Sequence, residues 1–394
     1  MTNCSYHELV ELRRAIHKDP ELRFSEHRTS ERIKAFLVDH GWEVHKDPES
    51  PGLVARWPGA QKKIQVLVRA DIDAYPVQDG KKVPYASANA GVAHACGHDV
   101  HTTAALGLAC RLASEPDVRD HVSIVFQPAE EIPFGESSGA RRMLDSGLLG
   151  DSYDAIVGLH CWPQLEVGTI GIDSGPAMAA KDGFGIEFHG MSTHAATPAL
   201  ARDALLAAAD AILSLHAAVS RFRNPNELVA FNVGTIAGGR SQSAVPDLVF
   251  ITGTLRSHDE GVRQRLKVVI ERVAHASANK FDVTADFTWA NQMPAVVNSP
   301  GLVSLALEVL PETKHTIVEL TEPPLTTDDF SLLAERGPTL YFKLGVTPVG
   351  AEAILPLHTG LFDVDEGCIP VAVDGLERLV KSALASVQRG ENLS

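Results

Sequence analysis

Short apolar runs that read as buried strands alternate with helical segments from the N-terminus onward, and this alternation constrains the fold more than any other feature. Leu53–Trp57, Ile64–Val68, Val122–Phe126 and Ile156–Leu159 read as strands, with Thr102–Ser114 and Ser138–Ser146 as helices between them. Upstream, Leu9, Leu12 and Ile16 lie at helical spacing, and Ser25 is placed to cap a second helix that stops at Gly41. Such alternation calls for a mostly parallel sheet with helical crossovers. The pattern changes near Gly175. Strand Gly183–Phe188, helix Asp203–Val219, strands Leu228–Ile236 and Leu248–Leu255, helix Glu260–Asn279 and strand Val283–Trp289 follow. That β-α-β-β-α-β order is ferredoxin-like. After Pro294 the alternation resumes with helix Gly301–Val309, strand Thr339–Leu344 and helix Ile369–Val387. The expected fold is therefore α/β: a mostly parallel-sheet domain made of residues 1–176 and 291–394, interrupted by a ferredoxin-like α+β domain at 177–290.

Composition narrows the function. With 394 residues, 44% hydrophobic and 22% charged, the chain has the make-up of an ordinary globular protein large enough for an extensive core. A formal charge of −15 disfavours binding to a phosphate backbone, so no nucleic-acid partner is expected. No apolar run approaches the ~18 residues of a membrane-spanning helix, and no membrane partner is expected. Met1–Leu12 lacks the apolar core and cleavage site of a signal peptide. The five cysteines, Cys4, Cys96, Cys110, Cys161 and Cys368, are odd in number and irregularly spaced, which predicts no disulfide framework and suits a reducing cytoplasm.

In open α/β sheets ligands bind beyond the carboxyl ends of the strands. There the sequence places Arg69-Ala70-Asp71-Ile72-Asp73, then Gln127-Pro128-Ala129-Glu130-Glu131, then His160. Between the first two lies His94-Ala95-Cys96-Gly97-His98-Asp99-Val100-His101, with three histidines, a cysteine and an aspartate in eight residues. Gly97 lets the backbone turn so that Cys96 and His98 can face one site. Thiolate, imidazole and carboxylate together suit zinc or another first-row ion. Of two adjacent glutamates pointing in different directions, one can bind metal while the other serves as a general base. A further histidine, His358, stands near the C-terminus in Leu357-His358-Thr359-Gly360.

These segments, with Gly238-Gly239, Val245-Pro246 and Phe362-Asp363-Val364-Asp365-Glu366, span most of the chain in order. Together they resemble the di-metal amidohydrolases of the aminoacylase–carboxypeptidase superfamily, most of all bacterial hippurate hydrolases and N-acyl-amino-acid amidohydrolases and the plant hydrolases of auxin–amino-acid conjugates. The resemblance implies two divalent ions, zinc or manganese first, with cobalt or nickel also suitable. Cys96 would bridge them, His98 and His160 would complete one shell, and Glu131 and His358 the other. Glu130 would be the general base for water attacking an amide carbonyl. Asp73, with Asp71 the lesser candidate, would orient a liganding histidine. His94 and His101 would lie nearby without ligating. The inserted domain would act as lid and dimerisation unit, giving a homodimer or higher homo-oligomer. His194, in Gly190-Met191-Ser192-Thr193-His194, would help stabilise the oxyanion, and Arg256 would receive a substrate carboxylate.

Two departures fall around the substrate. Where the family has Asn, two residues before Val245-Pro246, this chain has Ser243, with a shorter side chain and a hydroxyl only. Where a Glu-Asp-Phe segment is usual, it has Asp328-Asp329-Phe330, and the missing methylene would move any contact to the site. The expected function is metal-dependent hydrolysis of N-acyl amino acids or related small amides. The alternatives are a dipeptidase or exopeptidase of the same superfamily, hydrolytic deamination of an unusual aromatic amine, or a non-catalytic metal-binding protein.

Overall fold

The computed structural model describes residues 4–60 and 63–394. Its largest element is an eight-stranded sheet ordered β1-β2-β4-β3-β5-β14-β6-β13. The strands are β1 (Glu43–Lys46), β2 (Leu53–Arg56), β3 (Val66–Asp71), β4 (Val122–Gln127), β5 (Ala155–Glu166), β6 (Thr169–Asp173), β13 (Thr316–Leu320) and β14 (Thr339–Thr347). The central run β4-β3-β5-β14 is parallel throughout. The antiparallel pairs are β1 with β2, β2 with β4, and β14 with β6. Every residue of β3 and β4 is buried, as expected of strands covered on both faces. Helices α1 (Tyr6–Lys18), α2 (His27–Asp39), α3 (His98–Leu112), α4 (Pro116–Arg119), α5 (Gly139–Asp145), α8 (Pro300–Val309) and α9 (Cys368–Gln388) belong to this part of the chain. A short pair, β7 (Pro176–Met178) with β12 (Val296–Val297), lies where the chain leaves it and returns.

Between them, β8 (Ala180–His189), β9 (Val229–Gly238), β10 (Leu248–Ser257) and β11 (Thr284–Met293) form an antiparallel sheet ordered β11-β8-β10-β9. Helices α6 (Ala204–Phe222) and α7 (Glu260–Lys280) pack on it around a separate apolar core that includes Phe184, Ile186, Ala208, Leu215, Ile251 and Leu266. The β-α-β-β-α-β order is the one the sequence predicts. By length and composition alone α6 could cross a membrane. Its Ala204, Ala207, Ala208, Ala211, Leu215 and Val219 are instead buried, the stripe a sheet-covering helix needs.

Four expectations need correction. Ser25 does not cap α2: the capping position is Glu26, with no side-chain capping bond, and Ser25 sits one residue outside in a turn, its N–H on the Leu22 carbonyl. The strand expected at Ile64–Val68 runs to Asp71, so Arg69 and Asp71 are strand residues. β5 and β10 likewise run past their expected ends, carrying His160 and Arg256 inside strands. Finally, Cys4 and Cys110 are disulfide-paired, with Cα atoms 6.1 Å apart across 106 residues. Sequence spacing carried no sign of this, because packing of α1 on α3 brings the two cysteines together.

Candidate metal centre

The carboxyl ends of β3 and β4, together with β5, open into one cavity of about 330 Å³. Its wall includes Cys96, Glu130, Glu131, His160 and His358 from the part of the chain that carries the eight-stranded sheet, with Thr326 and Thr327, and Lys181 and Arg256 from the inserted sheet. Each site residue is held by local structure. Gly97 has φ +91°, and a Cβ there would lie 2.7 Å from both Cβ and Sγ of Cys161. Only glycine makes that turn in that space. It places buried Cys96 just before α3 and His98 at its first turn. Gly97→Ala is therefore expected to abolish stoichiometric metal binding, as measured by elemental analysis of purified protein.

His98 is oriented through Nδ1, which lies 2.9 Å from the Asp73 carbonyl and 3.1 Å from Asp73 Oδ1. The other Asp73 oxygen accepts the backbone N–H of Glu131 at 2.9 Å, so one carboxylate fixes two site residues. His98 Nε2 is left buried with no hydrogen bond among the described residues, Asp71 Oδ2 lying 3.5 Å away. A buried, oriented imidazole nitrogen without a partner is what a metal ligand requires. His160 is oriented likewise, with Nδ1 2.8 Å from the Cys161 carbonyl and Nε2 3.4 Å from Cys96 Sγ. His358 Nε2 lies 3.2 Å from the same sulfur and 2.7 Å from Glu131 Oε1, and its ring stacks on Tyr75 at 4.1 Å. His358 holds φ +62° and Ala129 φ +50°, and such left-handed conformations are uncommon outside glycine. One aims the His358 ring, and the other turns the chain into Glu130-Glu131.

The donor atoms of Cys96, His98 and His160 lie within 4.8 Å of one another, as do those of Cys96, Glu131 and His358. The two triads share Cys96, and the five side chains together offer the donors that would hold two divalent ions. His98 also belongs to two further such groups, one with Glu130 and Glu131 and one with Asp71 and His101. Without an ion the site is electrostatically crowded. Burial, with Glu131 and Glu130 nearby, pushes the Cys96 thiol well above its usual range. Burial and Glu131 likewise raise the Glu130 carboxyl. Burial lowers His160 to about 3, with His101 adding to the effect. Burial would also lower His98, but Asp71 and Asp73 outweigh it and lift it to about 10. Divalent cations relieve this crowding by replacing protons.

His101 is not available as a ligand: Nδ1 faces Asp71 at 2.5 Å and Nε2 accepts the Cys161 N–H at 2.9 Å. His94 is buried with both ring nitrogens unpartnered, and burial lowers it to about 3. Asp71 serves His101 and Arg69 and also lies 3.5 Å from His98 Nε2, whereas Asp73 holds His98 Nδ1. Asp328 does not face the cavity: it binds Arg69 and the Tyr341 hydroxyl, so the shorter acid there is absorbed in a buried network behind the site. His194 and Ser243 lie outside the cavity wall. Both are exposed, on adjoining loops joined by the Ala195 N–H to the Ser243 carbonyl at 2.9 Å.

Sequence reasoning missed Glu26, whose carboxylate accepts the Ala129 N–H at 2.8 Å. Burial, with Asp73 adding like charge, pushes the Glu26 carboxyl up from 4.5 to about 8. A carboxyl raised on folding contributes stability that is full below its unfolded pKa and lost as pH rises through the folded one. The metal-free protein is thus expected to lose stability between roughly pH 4.5 and 8. Glu26→Gln flattens that slope, as read by urea midpoints at several pH values.

Residues 67–382 match Peptidase family M20/M25/M40. An N-acetyl-L-cysteine deacetylase of Bacillus subtilis (strain 168) is 33% identical over 92% of this chain and 85% of its own length. An N-acetyldiaminopimelate deacetylase of the same organism is 32% identical, over 93% and 96%. Among solved structures, the Bacillus subtilis protein YXEP, described as a dinuclear metal binding peptidase, shares 30% identity and a TM-score of 0.79, over 97% of this chain and 98% of that one.

Proposed function

The chain belongs to peptidase family M20/M25/M40 and is a metal-dependent amidohydrolase, and from that premise we propose that it hydrolyses N-acyl amino acids with Glu130 as general base and the Cys96 triads as metal ligands. Two divalent ions, zinc or manganese by donor type, supply Lewis acidity and acidify a water when bound. Cys96, His98 and His160 would hold one, and Cys96, Glu131 and His358 the other. Glu130 takes the proton of the water that attacks the amide carbonyl and passes it to the departing amine nitrogen. Asp73 keeps His98 in the tautomer that presents Nε2. Arg256 receives the substrate carboxylate. The observation that carries this reading is the pair of donor triads sharing one buried thiol beside Glu130.

The same proposal makes residues 177–290 a lid and dimerisation unit. Leu206 and Leu213 on α6 are exposed, and β9 is an unpaired sheet edge, which supports pairing of copies through this unit. His194 and Ser243 would then act at the pocket of a second copy, His194 stabilising the developing oxyanion. The Cys4–Cys110 disulfide removes the main support for the cytoplasmic location expected from the sequence. Alkylation mass spectrometry of the cellular protein reads whether Cys4 and Cys110 are paired there.

A dipeptidase has to receive a free ammonium, and besides the glutamates beside the donor triads the cavity wall presents the cations Lys181 and Arg256. The test is product analysis by mass spectrometry of metal-loaded protein with N-acyl amino acids, dipeptides and aryl amides. Cleavage of N-acyl amino acids is expected. Cleavage of dipeptides alone would replace this reading with the peptidase one.

A further inference from the structure

The mechanism above uses one cation of the cavity, yet the wall carries two. Lys181 on β8 and Arg256 on β10 are directly opposed in the antiparallel register. Directly opposed residues of an antiparallel pair share a face with Cβ atoms about 5 Å apart, and like charges placed so are destabilising. Both are half-buried, and neither forms an ion pair among the described residues. Lys181 has no side-chain hydrogen bond, and Arg256 has one, from Nη1 to the Leu325 carbonyl at 3.0 Å. Elsewhere in the same strand the pattern is the opposite: Asp182, the next residue of β8, is fully matched by Arg263 at 2.6 Å and Lys267 at 3.2 Å. A cation pair without a contact ion pair among the described residues is thus local to the cavity, with Glu130 and Glu131 acting on it only from a distance.

Among the described residues the acids of the cavity wall are Glu130 and Glu131. Both attract Lys181 and Arg256, but on the reading proposed above they and the Cys96 thiolate would also face two divalent ions, whose positive charge exceeds theirs, so the wall holds no surplus negative charge for the pair. We propose that Lys181 and Arg256 form a dicarboxylate subsite, so that the preferred substrate carries a second carboxylate besides that of a simple N-acyl amino acid. The Arg256 donors not engaged by Leu325 suit one carboxylate as a fork. The Lys181 ammonium, a point charge on a flexible stem, meets the other. Trp162, Met178 and Met293 line the apolar space of the same cavity, where a short hydrocarbon spacer between the two acids would pack. The inference rests on the amidohydrolase reading and deepens it.

Matched pairs differing by one charge test it. N-acetylglutamate against N-acetylglutamine places the second acid on the amine side. N-succinylalanine against its terminal amide, N-succinamylalanine, places it on the acyl side. The acid of at least one pair is expected to exceed its amide at least tenfold in kcat/KM, mainly through KM, with the preference falling as salt rises. Lys181→Gln brings that ratio near one, and Lys181→Arg restores most of it. Succinate inhibits the wild-type enzyme more strongly than succinamate, and the difference vanishes in Lys181→Gln. Ratios within one protein are insensitive to the fraction folded. A ratio near one for both pairs, or a preference unchanged in Lys181→Gln, overturns the subsite while leaving the hydrolase reading intact. No hydrolysis of any of the four amides by metal-loaded enzyme, with no differential inhibition, overturns both.

Discussion

Glu130→Gln is expected to lower kcat/KM for a cleaved amide by roughly 10²- to 10⁴-fold while two metal ions remain bound. Glutamine has nearly the same shape but cannot take a proton from water or return it to an amine. Glu130 is half-buried in the cavity wall, one residue from Glu131, and the left-handed turn at Ala129 delivers both. Without metal, burial and Glu131 raise its carboxyl well above the usual range. Two divalent cations held beside it would lower it again toward the range a base needs near neutral pH. Elemental analysis alongside single-turnover rates separates the alternatives. Activity loss with full metal content assigns the base. Loss of one ion would instead make Glu130 a ligand, as its proximity to His98 and Glu131 allows.

The candidate donors were legible in the sequence because a cysteine and histidines crowd just before a helix and Glu131 follows a buried strand. Cys96, His98 and Glu131 could be found this way, and Gly97 could be read as the turn that joins the first two. The inserted unit was legible from element order alone, since β-α-β-β-α-β has few compact solutions. What stood behind the site was not legible. Arg69, Asp329 and Glu26 are common residue types at unremarkable spacings. Their significance arises from burial together, and Arg69 and Asp329 meet across 260 residues. Lys181 was overlooked for a similar reason: a lysine near the start of a strand gives no sign that Arg256 faces it. The Cys4–Cys110 pair illustrates the same limit, because a single bridge has no spacing pattern to reveal it. The expected strand ends fell short at Val68, Leu159 and Leu255 because the polar residues beyond them looked like loops. Tertiary partners keep those residues in the sheet: Asp71 is matched by Arg69 and His101, and His160 by the Cys161 carbonyl and Cys96.

That hidden layer leads to the second large effect, in stability. Arg69 is fully buried on β3, with Nη1 2.6 Å from Asp71 and Nη2 3.0 Å from both Asp328 and Asp329. Its Nε–H donates to Gln127 Oε1 at 2.9 Å, and the Gln127 amide in turn donates to Asp329. Asp329 also accepts the Ala140 N–H at the start of α5. One guanidinium thus joins β3, β4, α5 and the Asp328-Asp329 segment. Despite burial, Arg69, His98 and His101 hold the Asp71 carboxyl well below its usual range. Burial, only partly opposed by Arg69, leaves Asp329 at about 7. Arg69→Met would strand these carboxylates without a counter-charge, and breaking a buried pair by removing one partner costs about 3–5 kcal/mol. Urea unfolding of metal-loaded protein is expected to register a loss of that size. Arg69→Lys recovers little of it, because an ammonium cannot reproduce a fork that reaches three acids. Asp71 also orients His101, whose Nε2 accepts the N–H of the residue after His160, so metal affinity should fall together with stability. Arg69→Met protein that keeps both its metals and its full unfolding free energy would show that the network behind the site is dispensable.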